Sequence, residues 1–183
     1  MTEAPAAPFE ARYSIIKMLG WALLASPMAA GAVWILWRSI ALGDPAGIGI
    51  GGLGTAFFGG AVLAFLRCAA DRRVQLRIDG SGLYLRPHSA RTIPLRSIKG
   101  VALATGMVRL RFYKAAKFPI ESRLRRFIFR INGSAASDFF GDAWIWTAHY
   151  NCTWQQIMDA INAHTVPTEF QRQLAERMRA AQE

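Results

Sequence analysis

Two uncharged runs dominate the first third of the chain, residues 18–37 and 47–66, each twenty residues long. At helical rise, twenty residues cover roughly 30 Å, the thickness of a bilayer's hydrocarbon core. The segment between them, RSIALGDPA, carries the breaker Gly43-Asp44-Pro45 and so predicts a transmembrane hairpin of two antiparallel helices. On the second run Gly47, Gly51, Thr55 and Gly59 recur every fourth position, and Ala22, Ser26 and Ala30 do the same on the first. Such stripes let helix backbones approach closely. They predict packing of the hairpin on itself, with a homodimer through the second span as the alternative use. Pro27, in mid-span, predicts a kink.

From Val74 the period changes from helix to strand. Val74, Leu76 and Ile78 alternate with Gln75, Arg77 and Asp79, and Gly80-Ser81-Gly82 is a tight turn. Further strands are expected over 83–86, 92–95, 98–104, 108–113, 127–131 and 143–147. Thr153 followed three residues later by Gln156 matches a capping box, and the helix it opens, 154–163, presents Trp154, Ile157, Met158 and Ile161 on one side. The expected architecture is a membrane α-helical hairpin followed by an α+β, mainly antiparallel-β domain with a C-terminal capping helix. Its parts are a tail over 1–17 with a disordered first dozen residues, the hairpin over 18–66, the β domain over 72–164, and a last basic amphipathic segment over 165–183 striped by Phe170, Leu174 and Met178.

Charge sharpens this division. In residues 1–66, Arg12, Lys17 and Arg38 cancel Glu3, Glu10 and Asp44, so the whole formal charge of +10 belongs to the remainder. Arg67, Arg72, Arg73 and Arg77 crowd the end of the second span, while the connecting loop holds one Arg and one Asp. The positive-inside bias therefore places both termini in the cytoplasm, in a multi-pass inner-membrane protein. Ser26-Pro27-Met28-Ala29-Ala30 is similar to a signal-cleavage region. However, the polar stretch ahead of it carries two glutamates and the apolar run continues past it, so a retained anchor is expected. Cys68 and Cys152 are too far apart in sequence to suggest a disulfide framework or metal cluster, in keeping with a reducing compartment.

The order of elements resembles the pleckstrin-homology-like (PH-like) domains of small, uncharacterised bacterial membrane proteins, several of which have two helices ahead of the domain. The resemblance rests on Ile78-Asp79-Gly80-Ser81-Gly82-Leu83, on Ile93-Pro94-Leu95-Arg96-Ser97-Ile98, and on Asp142-Ala143-Trp144-Ile145 before the last helix. Leu95 stands where that family often has Trp. The resemblance covers residues 74–164 and implies a fold rather than an activity.

Candidate chemistry is mostly electrostatic. Residues 72–130 hold fifteen Lys or Arg against Asp79 and Glu121. Lys114 and Lys117, with Arg123, Arg125 and Arg126, form the densest clusters, expected in loops, where guanidinium groups can chelate a headgroup phosphate of an anionic leaflet. A basic face also follows from topology and solubility alone. Nucleic acid is not expected as a partner, because no helix-turn-helix, zinc module or RNA-binding aromatic signature is present. His88, His149 and His164 lack ligand spacing, Asp138 and Asp142 read as loop caps, and the Gly49-x-Gly51-x-x-Gly54 pattern lies inside a span, so neither metal nor cofactor is expected. The expected role is a non-catalytic, membrane-tethered binding or scaffold module with a protein partner. The alternatives are an anionic-headgroup sensor and, third, a membrane-associated enzyme.

Overall fold

The computed structural model describes residues 7–165 apart from Thr105 and Ser134. Residues 1–6 and the expected stripe of Phe170, Leu174 and Met178 lie outside the described residues. The described residues form two compact units, one of Ala11–Val74 with Trp146–Asn151, the other of Gln75–Ile145 with residues 7–10 and 152–165.

In the first unit, helix α1 spans Ile15–Leu42. Ser14 caps its start by accepting from Lys17 N, and Gly43, at φ 64°, closes its end in the left-handed conformation that glycine adopts most easily. The hairpin turn is built by Asp44, whose carboxylate accepts from Ala46 N and Gly47 N at 3.1 Å each, with Pro45 at the first helical position. Helix α2 (Pro45–Gly54) runs through a π-helical turn at Thr55–Gly59 into helix α3 (Gly60–Ala70). The two continuous helices, 28 and 26 residues long, overrun the expected spans at both ends. The chain is helical on both sides of Pro27, and Ser26 Oγ donates to Ala22 O at 2.7 Å in the turn before it.

The small residues of the second helix lie closest to the first helix at the turn end of the hairpin. A Cβ on Gly51 would lie 2.5 Å from Leu36 N, so the backbones meet there, while one on Gly47 would collide with the Ser39 and Asp44 side chains. Gly54 then faces Ala32, with 3.0 Å between a Cβ there and the alanine methyl. Gly59 has open space around it, and Ala30 is exposed while Ala22 and Ala32 are buried. The four-residue spacing therefore does not hold along the whole seam. The π turn, with its wider i→i+5 bonding, re-phases the second helix halfway along.

Residues 146–151 pack onto the start of α1. Lys17 Nζ donates to Tyr150 O at 2.7 Å and Thr147 O at 3.2 Å. Tyr13 stacks on Tyr150 with ring centroids 5.5 Å apart. Arg12 N donates to Asn151 Oδ1, and Asn151 N donates back to Arg12 O.

Among the described residues, the second unit holds two sheets, ordered β1-β2-β3-β4 and β5-β6-β7. Strand β1, Phe9–Ala11, forms where a disordered tail was expected. Strands β2 (Leu76–Asp79) and β3 (Gly82–Leu85) make an antiparallel hairpin that pairs Leu76 with Leu85 and Ile78 with Leu83. Period-2 alternation puts all four of these side chains in the core, where they are buried. Strand β4 is short, Thr92–Ile93, and a 3₁₀ turn at Leu95–Ser97 leads into β5 (Ile98–Ala104). Strand β5 pairs antiparallel with β6 (Met107–Phe112), which buries Met107, Val108, Leu110 and Phe112.

A strand was expected over 127–131. The structure has helix α4 there, Arg123–Ile131, followed by α5, Ala135–Phe140. Strand β7 (Ala143–Trp146) completes the second sheet. Helix α6, Trp154–His164, begins with the expected capping box: Thr153 Oγ1 accepts from Gln156 N, and Gln156 Oε1 accepts from Thr153 N. Ile157 and Ile161 are buried on its inner side, where the helix packs on β2, while Trp154 is more exposed than its spacing suggested.

Candidate functional site

Helix α4 gathers most of the expected cationic residues, and helix rather than loop decides how each is used. At about 100° per residue, Arg125, Ile128 and Phe129 share the arc turned toward the unit, and all three are partly buried. Arg125 lies over the Trp144 ring, 4.5 Å from its centroid, and its Nη1 donates to Trp144 O at 2.9 Å. Phe129 stacks on the same indole. Guanidinium, indole and phenyl thus form one layered contact that holds α4 to β7. Arg125 is engaged inside the protein.

Arg126 is exposed, but its Nε donates to Ile120 O at 3.0 Å and Nη2 to Glu121 O at 3.4 Å, bracing the chain that leads into α4. Arg123 and Arg130 are exposed on the same side of the helix. Lys114 and Lys117 are exposed at a separate 3₁₀ turn, Ala115–Lys117. The structure therefore divides the five candidates Lys114, Lys117, Arg123, Arg125 and Arg126 between a turn and a helix.

Sequence reasoning missed the outer apolar arc of α4. Leu124, Phe127 and Ile131 are 68%, 61% and 65% exposed. Their i, i+3, i+7 spacing was the available signal, hidden because the alternation of Phe127, Phe129 and Ile131 also fits a strand. No acidic residue lies on the helix.

The segment before α4 is held by His88 and Glu121. Glu121 N donates to His88 O at 2.8 Å, and Glu121 Oε2 accepts from Ala90 N at 2.9 Å, with Arg91 Nε 3.6 Å from Oε1. The bond from Ala90 N, then the Ser89 hydroxyl, hold the Glu121 carboxyl below its ordinary range. His88 is fully buried; its Nε2 lies 3.1 Å from Phe118 O, while Nδ1 has no hydrogen-bond partner among the described residues. Burial pushes its pKa below the ordinary 6.5, against the opposing pull of Phe118 O.

Asp142, Asp138, His164 and His149 have structural positions. Asp142 Oδ2 accepts from Phe112 N at 2.6 Å. Asp138 lies 3.6 Å from Arg111 and accepts Arg109 on its main-chain oxygen. His164 Nε2 is 3.2 Å from Ala7 O, and His149 lies against Phe65 and Trp146. Among the described residues, no three His, Cys, Asp or Glu side chains are grouped to hold a metal ion.

Within the hairpin, Ser26, Ala29, Thr55 and Gly59 line an apolar groove of about 590 Å³. Thr55 Oγ1 is buried there without a hydrogen-bond partner among the described residues. Of the expected packing stripe, Gly47 and Gly51 lie in the helix contact, and Thr55 and Gly59 border this groove.

Both helices of this unit are long and apolar enough to cross a membrane, with only 6% of the most apolar window buried in each. No family model, curated protein or solved structure matches the chain.

Proposed function

We propose that this chain is a membrane-anchored, non-catalytic binding module. A helical hairpin is embedded in the inner membrane with both termini cytoplasmic, and a basic PH-like domain is presented at the cytoplasmic face to a protein partner. The observation that carries this reading is the exposure of two long apolar helices in a chain whose entire charge excess follows them. Side chains such as Leu23, Leu53, Phe57 and Leu63 are more than two-thirds exposed, a surface that lipid covers without cost and water does not. The PH-like reading is supported by the β2–β3 hairpin, the short β4 with its following turn, and α6 behind its capping box.

A second reading, recognition of an anionic headgroup, is favoured by the exposure of Lys114, Lys117 and Arg123 on a unit tethered to a bilayer. One experiment separates the two. A photo-crosslinking amino acid replaces Lys117 in the full chain expressed in cells. A discrete adduct of protein mass supports the binding module, whereas an adduct of phospholipid mass supports the headgroup reading. Release of the uncrosslinked chain from membranes by alkaline carbonate would overturn both.

A further inference from the structure

We propose that α4 is an interfacial helix, whose outer apolar arc of Leu124, Phe127 and Ile131 enters the acyl boundary of an anionic leaflet. The inference rests on the membrane-anchored reading above. Helical geometry divides the outer half of α4 into two strips: Phe127, Ile131 and Leu124 within about 60° of each other, and Arg126, Arg130 and Arg123 in a neighbouring arc of similar width. The apolar side chains are each more than half exposed, and the three arginines are exposed as well. Phe139, half-exposed on α5, adds a large apolar side chain on the helix packed next to α4.

A strip of exposed Leu, Phe and Ile edged by arginine, with no acid on the helix, is what a monotopic helix needs. The apolar arc leaves water, and the guanidinium groups reach phosphate at headgroup depth along their aliphatic stems. Charge complementarity selects the occupant. A second copy of α4 laid on the first would bring six arginines together, whereas an anionic leaflet supplies the opposite sign. The covalent link from the second span through residues 71–74 keeps the unit at a bilayer surface, so a weakly inserting helix suffices. Arg125 remains on the inner face, over Trp144, and keeps α4 folded while its outer face is in lipid.

The test uses the full chain, with Cys68→Ala and Cys152→Ala as background, in nanodiscs of phosphatidylcholine or of phosphatidylcholine with phosphatidylglycerol. Spin labels are placed at Phe127→Cys and, separately, Arg130→Cys, and their collisions with oxygen and a water-soluble nickel chelate are measured. Insertion predicts that oxygen dominates at 127 and nickel at 130, with the contrast greater in the anionic discs. Equal access of nickel to both labels overturns the proposal. So does protection of 127 from both relaxants, which marks a protein cover such as residues 166–183. Chains that do not incorporate into nanodiscs at all would fail the anchor reading itself, a result separate from either outcome at α4.

Discussion

At the scale of single residues, the buried imidazole of His88 couples the second unit to pH. The neutral ring donates from Nε2 to Phe118 O, and a second proton would sit on Nδ1, which is buried without an acceptor among the described residues. The folded-state pKa is therefore lowered, and the unfolded chain binds the proton more tightly. Stability then falls as pH drops below the ordinary value of 6.5 and stops falling once the folded state also protonates. Denaturant titrations from pH 7.5 to 5.5 should show this slope in the native chain and lose it in His88→Asn, even if that variant is less stable throughout. Glu121, with its lowered pKa, contributes in a lower window, below the ordinary 4.5, where protonation weakens its bond from Ala90 N.

Arginines differ at this scale too. Arg125→Gln removes both the stack on Trp144 and the bond to its carbonyl and should cost about 1–3 kcal/mol. Arg123→Gln, on the exposed side, should change stability by less than about 0.5 kcal/mol. Thermal melts of the two variants in one detergent would reveal the difference, and equal shifts would mean that Arg125 is not what holds α4.

Secondary-structure elements carry the second kind of prediction. Gly51→Ala places a methyl 2.5 Å from Leu36 N, against backbone that cannot step aside, so the hairpin must part there. Overpacking of this kind costs about 1–3 kcal/mol. Gly59→Ala meets nothing within 4 Å and serves as the paired control. Protection of residues 32–54 from hydrogen exchange should fall in the first variant and stay unchanged in the second. The contrast also shows where sequence was a sufficient guide. The Gly43-Asp44-Pro45 turn, the β2–β3 alternation and the Thr153/Gln156 capping box were legible because each depends on neighbours a few residues away. The π turn at Thr55–Gly59 was not, since nothing in TAFFG forbids an ordinary α-helix. Helix α4 was misread because RLRRFIFRI fits periods of both 2 and 3.6, and the choice is made by Trp144, distant in sequence, on which Arg125 and Phe129 converge. Lys17, read only as a flanking charge, instead donates to two carbonyls more than a hundred residues away.

At the scale of the whole molecule, the decisive quantity is the uneven distribution of charge. Lys17 donates to the carbonyls of Thr147 and Tyr150, and the exposed basic residues after the second helix are Arg67, Arg72 and Arg73. Arg38 is the sole cation of the connecting stretch, with Asp44 beside it in sequence. On the membrane-anchored reading proposed above, this bias would hold the connecting turn outside and the domain in the cytoplasm. Single cysteines at Ala46, in the first turn of α2 beside the connection, and Ser81, at the exposed tip of the β2–β3 hairpin, report the two sides. With Cys68 and Cys152 replaced, an impermeant maleimide applied to intact spheroplasts should label Ala46→Cys at once and Ser81→Cys only after lysis. Changing Arg67, Arg72 and Arg73 together to Gln should split the population, so that part of Ser81→Cys becomes labelled from outside. If orientation stays uniform in that variant, the topology is set by folding of the domain before insertion rather than by the positive flank.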